Sequence, residues 1–222
     1  MAIAATAIEN MPPVRQIVHI VEDDEQFRLS LQDLFQSLNI EVQAFCDAKD
    51  FFSRATKHVG GCVLIDVRLP GVNGIEFQRE LEACGFELPV IFMTGYGDVA
   101  TSVNAMKAGA IDFLQKPLRT NELIDAIGTA FAIDSGKQKQ RSYRQIVRKH
   151  AATLTPRENQ VFAFVASGLM NKQIAYELGI SEIMVKLHRG SVMRKMRASS
   201  LPELVRQYEL LDKASIQTNL HE

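Results

Sequence analysis

The chain has 222 residues, 46% apolar and 23% charged, the balance of an ordinary globular protein with room for one large domain or two small ones. No apolar stretch approaches the roughly 20 residues that span a bilayer, and residues 1–14 lack the basic start and long apolar core of a secretory signal, so a frayed extension and a cytoplasmic protein are expected. The net charge of −1 hides a division: residues 15–133 carry 17 acidic and 10 basic side chains, a net of −7, and residues 134–222 carry 8 and 15, a net of +7. Opposite signs point to two domains with different partners, the basic one suited to a polyanion.

In the first half, short apolar runs alternate with amphipathic stretches. Ile17–Val21 is the first run, and it ends in four acids, Glu22, Asp23, Asp24 and Glu25. Phe27, Leu31, Leu34, Phe35 and Leu38 then recur at helical spacing. Val42–Phe45 is a weak second run, and Cys62–Ile65 a third, closed by Asp66. Ile75, Phe77 and Leu81 predict a helix, and Val90–Met93 is the fourth run, reaching Thr94. Val99, Val103, Met106 and Ala110 predict another helix, Ile111–Leu114 is the fifth run, leading to Lys116 and Pro117, and Leu123, Ile124, Ile127 and Phe131 predict a last helix. This alternation predicts an α/β fold, a doubly wound five-stranded parallel sheet with its functional crevice at the carboxyl ends of the strands. Cys46, Cys62 and Cys84 are odd in number and widely spaced, so they read as small buried hydrophobes rather than a disulfide or metal framework.

Residues 134–153 are basic and poor in large apolar side chains, and predict a linker with partly helical structure. The region 154–212 shows helices only. Thr155, Pro156 and Glu158 form a capping box ahead of a helix that buries Val161, Phe162, Phe164 and Val165 and stops near Gly168. Asn171–Leu178 is a second helix with Gly179 at its end, and Ser181 caps a third that runs to about Met196. Pro202 opens a fourth helix with Leu204, Val205, Tyr208 and Leu211 on one face, and 213–222 is a tail. In the third helix Val185, Val192 and Met196 are spaced to face a core, while Lys186, Arg189, Arg194 and Lys195 fall largely outside it. A capped helix with a basic outer face can enter the major groove of DNA, its Lys and Arg supplying salt-dependent affinity on phosphates.

In a parallel sheet the strand ends face one way, so Glu22, Asp23 and Asp24 can converge with Asp66, Thr94 and Lys116. Clustered carboxylates suit a hard cation such as Mg2+. Carboxylate, hydroxyl and ammonium beside that cation suit phosphoryl transfer to an Asp nucleophile, a reaction governed by positioning and charge neutralisation.

Residues 16–133 resemble a response-regulator receiver domain, a flavodoxin-like fold, through VEDDEQFR (21–28), VLIDVRLPGVNG (63–74), FMTGYG (92–97) and DFLQKP (112–117). The resemblance implies that Asp66 is the phosphoacceptor, that Asp23 binds Mg2+ directly and Glu22 through water, and that the Arg68 backbone carbonyl is a further ligand. Counting back from Arg28 sets the acidic pair as Glu22 and Asp23, with Asp24 an extra member. Lys116 is implied to contact the phosphoryl group, the Lys116–Pro117 peptide to be cis, and Thr94 with Phe113 to form a switch that reshapes the face of the fourth helix, fifth strand and fifth helix. Residues 154–211 resemble the four-helix LuxR/FixJ/NarL-type DNA-binding domain through LTPRENQVF (154–162), GLMNKQIAYELGIS (168–181), VKLHRGSVMRKM (185–196) and LPELVR (201–206). That resemblance implies a helix-turn-helix from Asn171 to Gly190, with Lys186, Leu187 and Gly190 on base edges and Lys172, Arg189 and Arg194 on phosphates. Met184 stands where Thr is usual.

Together the halves are similar to a FixJ/NarL-type regulator, nearest the FixJ branch. The expectation is a transcription factor that takes phosphate on Asp66 from a cognate histidine kinase, dimerises and binds promoter DNA, with RNA polymerase as a further partner and no membrane association. One alternative is a DNA-binding regulator whose receiver never uses phosphate. A phosphate-handling enzyme ranks last, because no general base or substrate pocket beyond Asp66 is evident; a haloacid-dehalogenase-like phosphatase would want an acid where Arg68 stands.

Overall fold

The computed structural model describes residues 15–57, 59–69, 71–95 and 110–211, which fall into two compact units that divide between Gln138 and Lys139. The expected extension at 1–14, the predicted helix around Val99, Val103 and Met106, and the tail at 213–222 lie outside the described residues.

The first unit runs β1 (Gln16–Val21), α1 (Glu25–Ser37), β2 (Val42–Phe45), α2 (Ala48–Arg54), β3 (Gly60–Asp66), a small hairpin of β4 (Arg68–Leu69) and β5 (Val72–Asn73), α3 (Gly74–Ala83), β6 (Val90–Thr94), β7 (Asp112–Gln115) and the start of α4 (Thr120–Ala151). Among the described residues, five strands form one parallel sheet in the order β2-β1-β3-β6-β7. The order reverses between β1 and β3, so the crevice expected of a doubly wound sheet opens at their carboxyl ends.

β3 is buried along its whole length. Val63 and Ile65 face a core with Phe45, Phe51, Phe77 and Phe92, while Cys62 and Leu64 face a second core with Leu31, Phe35, Leu123 and Ile127. A strand covered on both faces is apolar throughout, which is why its sequence shows no polar alternation. β1 approaches β3 so closely that a Cβ on Gly61, which has φ +133°, would fall 1.8 Å from the Ile17 carbonyl oxygen.

Two elements had no sequence signal. α2 is seven residues long, too short to show a period; the Asp47 side chain caps it by accepting from the Asp50 N–H at 2.8 Å. It delivers Phe51 to the rings of Phe45 at 5.1 Å and of Phe77 and Phe86 at 5.3 Å. The β4–β5 hairpin has two residues per strand. Cys62 is buried, but Cys46, expected inside, is exposed just past the end of the edge strand β2.

The second unit contains the end of α4, then α5 (Pro156–Ala166), α6 (Asn171–Leu178), α7 (Glu182–Lys195) and α8 (Leu201–Leu210). The stretch read as a linker is helical to Ala151, and its Val147 is fully buried in a core with Leu154, Phe162, Val185 and Met196. Tyr208 of α8 meets Phe162 edge to face at 5.0 Å, and the buried positions of α8 include Gln207 rather than the expected Val205. Among the described residues no helix is long and apolar enough to cross a membrane.

Glu158 is a hub of this unit. It closes the capping box with Thr155 and, from its buried position, accepts from Ser191 Oγ at 2.6 Å and Lys195 Nζ at 2.6 Å. Lys195 also donates to the Thr153 carbonyl at 3.0 Å. This corrects the expected basic outer face of α7: Lys195 turns inward to neutralise Glu158. Burial raises the Glu158 carboxyl, but Lys195, Ser191 and Thr155 outweigh it and hold the group at about 2. Stability from this site is therefore complete above pH 4.5, the ordinary value, and is lost as pH falls toward 2. Glu158→Ala should cost about 2–3 kcal/mol. In scanning calorimetry of the full chain, Glu158→Gln should flatten the loss of stability in that acid window.

Candidate functional site

The four acids after β1 divide by position. Glu22 is 1% exposed. Asp23 is exposed, yet it brings a carboxylate oxygen within 4.8 Å of those of Glu22 and Asp66. Asp24 faces the other way: its Oδ1 accepts from the Phe27 N–H at 3.0 Å and caps α1. Glu25 lies in the first turn of α1, where a negative charge meets the positive end of the helix.

Register brings the remaining residues to the same edge. Val21 pairs with Ile65, Asp66 with Met93, and Thr94 with Gln115, so Glu22, Asp66, Thr94 and Lys116 form a line of strand ends. Lys116 Nζ donates to Glu22 Oε2 at 2.8 Å and to Asp66 Oδ2. Asp66 Oδ1 accepts from the Arg68 N–H at 2.8 Å. Thr94 is buried, and its Oγ1 donates to the Gly95 carbonyl at 3.2 Å. Phe113 is half-buried with its ring centroid 6.4 Å from that of Phe92. The Lys116–Pro117 peptide is cis.

Burial pushes the Glu22 carboxyl up, and the opposing pull of Lys116 does not cancel it. Burial lowers Lys116, but its hydrogen bonds to Asp66 and Glu22 win and hold it above the ordinary value. Among the described residues, three carboxylates share one mouth with the ammonium of Lys116. Such a set of hard oxygens with surplus negative charge fits a divalent cation.

Two supporting residues escaped the sequence reading. Phe27, read as a helix-face position, places its ring under Lys116 with the ammonium 4.5 Å from the centroid, a cation–π contact. Arg28, read as a register marker, donates from Nη1 to the Glu22 carbonyl at 2.7 Å and the Asp23 carbonyl at 3.3 Å, clamping the loop that carries the acids. Only side-chain reach across the β1–α1 turn makes these roles visible.

In the second unit, Gly179 ends α6 with φ 62°, and Ser181 Oγ caps α7 by accepting from the Met184 N–H at 3.2 Å. Lys172, Lys186, Leu187, Gly190 and Arg194 are all exposed. Arg189 is half-buried; its Nη1 donates to Asn171 Oδ1 at 2.8 Å, joining the start of α6 to the middle of α7. Arg194 Nη2 reaches Ser191 Oγ at 3.4 Å. A Cβ built on Gly190 meets nothing within 4 Å.

The family model for the response regulator receiver domain matches residues 18–128, and the one for bacterial regulatory proteins of the luxR family matches residues 152–208. Nodulation protein W of Bradyrhizobium diazoefficiens is 46% identical over 197 residues, which cover 89% of this chain and 87% of that protein. The solved structure of the response regulator StyR superposes with a TM-score of 0.77 at 39% identity, covering 89% of this chain and 100% of that one. Full-length FixJ from B. japonicum gives a TM-score of 0.54 at 38% identity, covering 89% and 97%.

Because Gly190 lies inside α7 with open space around it, Gly190→Ala should raise stability by about 1 kcal/mol through helix propensity. Chemical denaturation of the two proteins checks this.

Proposed function

The chain belongs to the response regulators that join a receiver domain to a LuxR-type DNA-binding domain, and from that membership we propose which of its residues carry the phosphate and touch the DNA. The family acts in transcription and is not a family of enzymes.

Asp66 is the phosphoacceptor. What supports this is its position between the Arg68 N–H and Lys116, with the carboxylates of Glu22 and Asp23 within 4.8 Å. An Asp66 carboxylate oxygen attacks the phosphorus of a phosphohistidine, the P–N bond breaks, and the imidazole leaves. Asp23, Asp66, the Arg68 carbonyl and, through water, Glu22 would hold Mg2+, which supplies charge neutralisation on the phosphoryl oxygens. Lys116 moves its hydrogen bond from the Asp66 carboxylate to a phosphoryl oxygen. Phe27 beneath the ammonium and Glu22 beside it keep Lys116 aimed during that exchange.

Thr94 exchanges its long hydrogen bond to the Gly95 carbonyl for one to the phosphoryl group, and Phe113 repacks into the space released. The phosphate, with about −1.5 to −2 charges, biases this face toward a homodimer. A histidine kinase is the donor that receiver chemistry calls for. Action on promoter DNA, with RNA polymerase as a further partner, fits a cytoplasmic protein.

In the second unit α7 enters the major groove. Lys186, Leu187 and Gly190 lie at base edges, and Lys172, Arg189 and Arg194 contact phosphates. The exposure of Lys172, Lys186 and Arg194, and the capped start of α7, support this.

With Mg2+ and acetyl phosphate, the wild-type chain should gain one labile phosphate by mass and shift toward a dimer, and Asp66→Asn should do neither. Equal labelling of the Asn variant would overturn the assignment. Affinity for duplex DNA should fall steeply with salt, and Lys172→Ala should shallow the slope by about one unit.

A further inference from the structure

The exposed face of α7 is not simply basic. Ile183 is 71% exposed, Leu187 62% and Met184 42%, whereas Val185 and Val192 of the same helix are at 0% and 1%. Ile183 and Leu187 stand four residues apart, so their side chains are neighbours on one stripe. Lys186 and Gly190 continue that stripe, both exposed. A large β-branched residue in solvent at the capped, groove-entering end of this helix has no role in the core. Positive charge accompanies the stripe: Lys186 lies within it, and Arg189, two residues past Leu187, hydrogen-bonds Asn171, the residue before exposed Lys172. Apolar side chains bordered by cations complement the major groove of duplex DNA, where the thymine C5-methyl is the apolar feature and phosphates line both walls. The missing side chain at Gly190 lets the helix settle deeply enough for short aliphatic groups to reach base edges.

We propose that Ile183 and Leu187 form an apolar reader of thymine methyl groups, making adjacent T·A pairs a determinant of the half-site, with Lys186 reading a neighbouring purine edge. Ile183 thereby joins the base-contacting residues, and the two aliphatic side chains with Lys186 set specificity while Lys172, Arg189 and Arg194 set affinity. The inference rests on the placement of α7 in the major groove.

The test uses the full chain with Mg2+ and acetyl phosphate. Sites are selected from a random duplex pool, and thymines in the selected half-site are then replaced one at a time by deoxyuridine, which removes only the methyl. Wild-type affinity should fall about fourfold at each contacted thymine, the value of one buried methyl group. Ile183→Ala and Leu187→Ala should each become indifferent to deoxyuridine at one position. Both positions are exposed, so the variants should fold, and their unchanged salt slopes confirm that phosphate contacts persist. Selected sites without thymine, or equal uridine sensitivity in wild type and both variants, would overturn the proposal. Duplex binding that ignores salt would overturn the placement of α7 on DNA and the proposal with it.

Discussion

One charge organises the first unit: Lys116, reaching from the end of β7 to Glu22 at the end of β1 and Asp66 at the end of β3. These three elements are not consecutive in the chain, and only the β1-β3-β6-β7 adjacency brings them to one edge. The contact asks for the rest of the mouth in turn. Glu22 must be held although burial disfavours its charge, and Arg28 does this through the loop carbonyls rather than the carboxylate. Lys116 must be aimed without being neutralised, and the Phe27 ring supplies an attraction that leaves the charge intact.

The two units each contain a buried glutamate paired with a lysine, and the pairs behave oppositely. Glu158 is surrounded by donors, so its charged form is satisfied and its carboxyl drops to about 2. At Glu22 burial weighs most, and Lys116, opposed by Asp66, does not cancel it, so the carboxyl rises. A satisfied carboxylate is a structural device. One whose burial is not compensated favours a further cation, and the degree of that compensation separates the site from the scaffold.

Much of this could be read in the residues. Five apolar runs predicted the sheet, and four of them, leading to Glu22, Asp66, Thr94 and Lys116, its functional edge; a strand such as β3, buried on both faces, leaves a continuous apolar signature. The cap at Thr155 and the turn at Gly179 were likewise visible, since capping chemistry is local. What escaped depends on distance in the chain. α2 has too few residues to show a period, and Phe51 declares itself only against Phe77 and Phe86. Lys195 read as one more surface cation until Glu158, 37 residues earlier, came into reach. Register alone divides the acids after β1 into the pair Glu22 and Asp23 and an extra Asp24, and geometry adds what the sequence does not show, that Asp24 caps α1.

The empty surroundings of Gly190 carry a consequence for how such a protein can change over generations. A residue whose Cβ would meet nothing within 4 Å beyond its own helix can be exchanged with little risk to that fold. Most positions that set what a protein recognises are tied to packing, so altering recognition erodes stability. Here the two are uncoupled at one position on the surface proposed to face DNA, and a glycine there starts about 1 kcal/mol below alanine in helix propensity. Any replacement but proline that widens the repertoire of sites would arrive with a gain in helix propensity.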